Sequence, residues 1–418
     1  MVNHDDRNAA RGVVGGARMR LGGQTAFMLG AASMTASMAA SAQEDCASLP
    51  APVVLQIGDT QEPLVKALGR QLRDSATHPM TLVYLKASTC VNVEVFESFG
   101  RLATNALYVP STTEDPQWTP SQPSPGCTVP AGGLPLDVAN AATFASSCTP
   151  DPPPPGVARV TGPVQAYGFV VPEASPETAI TAEEAYFVYG FGNQGQVTPW
   201  NDEAFVYKRP TTASTLLTLM ANVGVPVDRA RGVLFERSGQ LVSALNASTS
   251  PEKTLGVLGV EVYDKNRATL NVLAFRAFHQ RRAWFPDSTP TSFDKRNVRD
   301  GHYVPWSPTE WLYYENPDGS PQNPRAKVVV DLITGAAVTP PPDFDALATV
   351  IATGLVPRCA MAVTRAFDGG ELSLVAPAEP CGCFFESQVD VPSAACTACV
   401  DDDGCGAGRC RHGFCEER

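Results

Sequence analysis

The sequence predicts an α/β protein of two doubly wound units followed by a small disulfide-rich tail, and three observations carry that expectation. Between residues 53 and 90 an apolar strand, an amphipathic helix and a second strand follow one another. The same strand–helix–strand order recurs between 160 and 215. After Pro377 the composition changes: seven cysteines crowd into 381–415 with few apolar residues among them.

Taken in order, VVLQI (53–57) reads as a short buried strand. Asp59 followed three residues later by Glu62 has the form of a capping box, and Leu64, Val65, Leu68 and Leu72 mark one face of the helix behind it. TLVYL (81–85) is the next strand, leading into Ala87, Ser88, Thr89 and Cys90 and a second helix. Residues 110–135, rich in Pro, Ser, Thr and Gly, read as a surface excursion, and TPDPPPPG (149–156) as a stiff linker.

The run 164–171 is rich in β-branched and aromatic residues and reads as a buried strand. Thr181 with Glu184 forms a second capping box, and the helix that follows ends among Gly190, Gly192 and Gly195. AFVYKR is strand-like; Arg209, Pro210, Thr211, Thr212, Ala213, Ser214 and Thr215 then lead into the apolar turn of Leu216, Leu217 and Met220. A hydroxyl-rich loop opening a helix is an anion-binding geometry, because the first N–H groups have no internal partners and the dipole there favours negative charge. Arg209 adds a charged fork. On local chemistry alone the competing reading is that Thr211 or Thr212 merely caps the helix and Arg209 is a surface charge. Further on, 233–245 reads as a strand–helix piece, 326–334 and 343–354 as helices, and Arg299 and His302 as packing or rim residues.

The net charge of −12 is spread without long acidic runs, which leaves no electrostatic footprint for nucleic acid. Arg18 and Arg20, an apolar run over 25–40 and Ala40-Ser41-Ala42 have the form of a secretory signal cleaved after Ala42, and the run is too short for a membrane span. Twelve cysteines in an exported chain imply disulfides. They are expected to pair within two sets: Cys46, Cys90, Cys127 and Cys148, and the eight from Cys359 to Cys415. The lone CxxC at Cys396 and Cys399 has no second pair for a zinc site, and Asp401, Asp402 and Asp403 lack EF-hand spacing, so no metal and no cofactor is expected. There is no G-x-S-x-G and no HExxH, only five histidines, and no catalytic residue is nominated.

GPVQAYGFVVP, ITAEEAY, the Trp200-Asn201-Asp202 tripeptide and an Arg before a hydroxyl loop come in the order found in periplasmic phosphate-binding proteins, the solute receptors of ABC importers, which this chain resembles over roughly 51–375. The tail resembles cysteine-rich modules on exported bacterial proteins, especially from myxobacteria. The resemblance implies the two-lobed type II periplasmic-binding-protein fold, with the first lobe at 51–163, the second at 164–269, a return over 269–275 to the first lobe at 270–375, and the tail at 381–418. It also implies a monomer working with an ABC permease, and a phosphate-like oxyanion held by Asp59, Thr60, Ser88, Thr89, Arg209, Thr212, Ser214 and Thr215. Two positions depart from the family pattern: Asp59 stands where Ser or Thr is expected, and Ala141-Ala142 where a Ser-Asp pair is expected. Asp59 reads either as the helix N-cap, as a group that repels the anion, or as an acceptor for the anion's proton. The departures keep open a different class of function, a surface or interaction protein that reuses the fold.

Overall fold

The computed structural model describes residues 44–149, 152–390 and 392–416; the expected signal sequence and its cleavage after Ala42 lie outside them. Strand β1 (Pro52–Ile57) leads through helix α1 (Glu62–Asp74) to β2 (Thr81–Lys86), which pairs parallel to β1 with Val53 opposite Leu82. Helix α2 (Thr89–Glu97), β3 (Ala106–Tyr108), β4 (Gly126–Cys127) and β5 (Val138–Ala141) follow, then the 16-residue strand β6 (Val157–Pro172). After it come α3 (Ala182–Phe191), α4 (Ser214–Val223), α5 (Ser238–Asn246), β7 (Gly256–Gly259) and β8 (Leu270–Val272). Strand β9 (Trp306–Tyr314), α6 (Pro324–Thr334) and α7 (Ala346–Ala352) complete the body. Nine strands form one sheet in the order β7-β6-β9-β5-β1-β2-β3-β4, with β8 also on β6.

The architecture is the expected two-lobed α/β one, and β6 shows how the lobes are joined. Its first part pairs with β9 (Val157 opposite Tyr314, Ala166 opposite Trp306), and its last part pairs with β7 and β8. One core gathers on the β1–β2 side, with Leu55, Leu68, Leu82, Trp311 and Val330; the other gathers around Phe169, Tyr189, Leu219, Leu258 and Phe275. At the crossing a β-bulge falls between Pro308 and Glu310. There Gly162 lets Trp311 approach, since a Cβ on residue 162 would lie 2.8 Å from the indole.

The return crossover does not run through 269–275. Leu270–Val272 stays on β6, and Ala274–Arg276 pairs with Ala179–Thr181, so this segment remains in the second lobe and β9 makes the return. An apolar run fits any buried strand, and its address is set by pairing partners far away in sequence. Residues 270–375 are accordingly shared between the cores: Trp311 and Val329 lie in the first, Tyr303, Met361 and Val363 in the second.

The tail is less separate than its composition suggests. Helix α8 (Gly382–Val389) sinks Phe384 and Phe385 into the second core, a burial that contributes roughly 1.5–3 kcal/mol per ring. Arg299, read as a packing or rim residue, donates to Glu386 Oε1 at 2.9 Å and to the Gly382 carbonyl at 3.2 Å. Beyond α8, β10 (Arg409–Arg411) and β11 (Phe414–Glu416) form a hairpin, and the Glu416 carboxylate accepts the N–H groups of Cys383 and Phe384 at the start of α8. All twelve cysteines pair: 46–127 and 90–148 in the early set, and 359–381, 383–396, 399–410 and 405–415 in the late one. The Sγ atoms of Cys399, Cys405 and Cys415 lie within 4.8 Å of one another, but each is spent in a disulfide. No helix among the described residues is long and apolar enough to cross a membrane.

Candidate functional site

A polar cavity of about 190 Å³ opens between the lobes. The first lobe brings the loop after β1 (Gly58, Asp59, Thr60) and the loop after β2 (Lys86, Ala87, Ser88, Thr89). From the second lobe come Arg209, Pro210, Ala213, Ser214 and Thr215, with Glu236 and Arg237 just before α5. Of the eight residues nominated from sequence, only Thr212 is not among those lining it. The N-cap residues of α2 and α4, Ser88 and Ala213, make no side-chain capping bond. The Cys90 amide of α2 goes to the Thr212 carbonyl and the Leu216 amide of α4 to the Ala213 carbonyl, so only the remaining first-turn N–H groups are left for whatever occupies the space ahead of them.

Asp59 does not cap α1. The residue before the helix is Gln61, which makes no side-chain cap, and Asp59 instead opens a short 3-10 turn and points across the cleft. Its Oδ2 accepts from Arg209 Nη2 at 3.1 Å and from the Ser238 amide at 3.0 Å. Burial pushes this carboxyl up, but the Arg209 guanidinium and the bonds from Ser238 outweigh it and hold Asp59 below the usual carboxylate range. Glu62, the other half of the apparent capping box, is taken by Lys86 Nζ at 2.7 Å and by the Tyr84 hydroxyl at 3.0 Å.

Arg209 is not a surface charge: it is 4% exposed. One Nη donates to the Ser238 hydroxyl, the other to the Glu236 carbonyl at 3.1 Å as well as to Asp59. Its Nε is buried and has no partner among the described residues. Neither Thr211 nor Thr212 caps α4. Thr212 bridges the lobes instead, its Oγ1 lying 2.7 Å from Ser88 Oγ and its carbonyl accepting the Cys90 amide at 3.0 Å. Ser214 and Thr215 are the first residues of α4 and, like Thr60 and Thr89, are buried. The Thr60 Oγ1 has no partner among the described residues. Below the cavity a buried bond from Gln61 Nε2 to Gln165 Oε1, 2.6 Å long, again joins loop to β6.

Ala141 and Ala142 are fully buried and carry no side-chain polarity. One residue on, Thr143 supplies a hydroxyl that donates to Asp368 and lies 3.0 Å from Thr218 Oγ1 of α4. Sequence reasoning missed Ser238, which binds both members of the Asp59–Arg209 pair. A signal for it exists: Arg237-Ser238-Gly239-Gln240 opens a helix with a hydroxyl residue, as the 209–215 loop does.

No protein-family model matches the sequence, and no curated protein matches it either. Solved structures do resemble it in part. A proposed phosphate ABC transporter substrate-binding protein from Clostridium perfringens, solved with bound phosphate, aligns over 73% of this chain and 99% of its own at 11% identity and a TM-score of 0.49. An ABC-type phosphate transport receptor from Vibrio cholerae covers 73% and 99% at 12% identity and a TM-score of 0.45. The periplasmic molybdate-binding protein of Azotobacter vinelandii covers 73% and 98% at 12% identity and a TM-score of 0.36.

Proposed function

We propose that this chain is an exported solute-binding protein that captures an oxyanion, phosphate first among them, in the cleft between its lobes, for ABC-type uptake or for sensing. The observation that carries this reading is the buried Arg209 at a small polar cavity faced by the uncapped starts of α2 and α4. Pockets for drug-sized ligands measure about 300–1,000 Å³, so 190 Å³ suits a small ion. Arg209 supplies charge, Ser88, Thr89, Ser214 and Thr215 supply hydroxyls, and helix N–H groups complete the shell. Asp59 occupies the guanidinium from the opposite lobe, so an entering anion takes over a bond that a carboxylate already makes. The role is binding rather than catalysis.

The test is calorimetric titration of the purified protein with phosphate, sulfate and arsenate. Arg209→Ala is expected to weaken binding by roughly tenfold to a hundredfold, the loss of a charge-assisted hydrogen bond at about 1.4 kcal/mol per decade. A second reading has its own observation: the Asp59–Arg209 and Ser88–Thr212 bridges tie the lobes together through protein groups, as suits a surface protein whose cleft stays shut. If no oxyanion of the panel binds, that reading replaces the first.

A further inference from the structure

A second cavity, of about 740 Å³, runs between the end of α6, the start of α7 and the segment that leads to the tail. It shares no residue with the interlobe cavity. Leu332, Val338, Leu347, Met361, Val363 and Val375 are among its walls. Thr334, Thr364, Arg358, Glu379 and His412 also line it, and among the described residues there it holds one buried cation, Arg365, at 7% exposure. Its guanidinium stacks over the Trp306 ring, 4.2 Å from the centroid, and one Nη donates to the Trp306 carbonyl at 3.2 Å. The Nε has no hydrogen-bond partner among the described residues. Asp368 acts on Arg365 through space without a hydrogen bond, and its Oδ2 is taken by the hydroxyls of Thr143 and Ser147. Glu379 at the groove is paired with Arg411. Burial lowers the Arg365 guanidinium to about 10, which leaves it charged at neutral pH.

A charged fork with unused donors, buried beside an apolar channel, is complementary to one kind of molecule. We propose that this groove binds an amphiphilic monoanion, a carboxylate on a medium-length acyl chain, with its head on Arg365 and its chain along the apolar wall. Three properties argue for that occupant. The volume lies inside the range of about 300–1,000 Å³ typical of small-molecule pockets. The carboxylate matches a guanidinium geometrically and offsets a charge that has no ion pair among the described residues and feels Asp368 only at a distance. The walls reward chain length by about fourfold per buried methylene.

The experiment is calorimetric titration of the purified protein with decanoate, octanoate, decanol and butyrate, followed in parallel by its tryptophan fluorescence, to which Trp306 beside Arg365 contributes. Decanoate is expected to bind saturably at one site, octanoate about tenfold more weakly, and decanol and butyrate at least tenfold more weakly than decanoate. Arg365→Met, checked for an unchanged circular-dichroism spectrum, is expected to bring decanoate down to the level of decanol. Val375→Trp, which narrows the groove from its outer wall and leaves Arg365 in place, is expected to cost at least tenfold and carries the test if Arg365→Met does not fold. The proposal is overturned if wild type shows no saturable decanoate binding, if decanol binds as tightly as decanoate, or if a folded Arg365→Met or Val375→Trp binds decanoate like wild type.

Discussion

Arg209 and Lys295 are both buried cations that meet aspartates, but the company they keep is different. Lys295 Nζ lies 2.9 Å from Asp264 and 2.9 Å from Asp287, and Arg267 bridges the same two carboxylates at 2.6 and 2.7 Å. Two positive and two negative groups, all from residues 264–295, alternate in a closed ring. Among the described residues Arg209 has a single carboxylate, from a loop 150 residues away on the other lobe, and otherwise touches a hydroxyl and a carbonyl. A closed ring of matched charges has no partner to give up. A cation whose one carboxylate sits across a cleft can exchange it for a free anion, as the receptor reading proposed above requires.

The comparison breaks most easily through stability. Asp287→Ala leaves Lys295 and Arg267 with one carboxylate between them, and is expected to cost about 3–5 kcal/mol in urea unfolding. Asp59→Ser keeps a hydroxyl at the edge of a polar cavity, where the Asp59 side chain is 23% exposed, and is expected to cost less, about 1–3 kcal/mol. Equal losses would mean that the cleft pair is as structural as the ring.

Glu261 sharpens the contrast from the other side, as a buried acid that has no ion pair among the described residues and feels Lys265 only at a distance. Neither carboxylate oxygen has a partner among the described residues, and burial pushes the group up to about 8. Its folded pKa lies above its unfolded value. The stability tied to its proton is therefore complete below about 4.5 and lost as the pH rises towards 8, by at most roughly 1.4 kcal/mol per pH unit. Asp59 runs the opposite way: its lowered pKa contributes stability above the ordinary carboxylate range that is lost only as pH falls through the folded value. Unfolding measured between pH 4.5 and 8 should show the declining slope in wild type and a flatter one in Glu261→Gln. An unchanged slope in that variant would assign the effect to another group.

The smallest effect sets the scale for the rest. Thr181→Ala removes a capping box in which the Thr181 hydroxyl accepts the Glu184 amide and Glu184 returns the bond. It is expected to cost about 1 kcal/mol in thermal or urea unfolding, with oxyanion binding unchanged.

That capping box was legible because every participant lies within four residues. The strands at 53–57 and 81–85 were legible for the same reason, since their apolar runs and turn residues are local. Asp59 and Glu62 have the same spacing and came out otherwise. Arg209, Lys86 and Tyr84 compete for their carboxylates, and none of these is visible in a short window. The division of cysteines into two sets follows from their spacing, whereas the pairing inside each set depends on the fold. The strand at 269–275 was recognisable as a strand, but its place beside Pro172 and Val170 is a long-range fact. Nothing local in the sequence marks Arg365, because burial beside Trp306 is what gives it meaning. Of the candidate site, the loops were legible and the bond that joins them was not.

The central claim is that Asp59 holds a guanidinium that an oxyanion would otherwise take. The direct measurement is calorimetric titration of phosphate into wild type and Asp59→Ser at neutral pH, with sulfate alongside. Tighter phosphate binding by Asp59→Ser, with sulfate following the same trend, is the predicted result. Weaker phosphate binding together with lost discrimination against sulfate would contradict it and make Asp59 the acceptor of the ligand's proton.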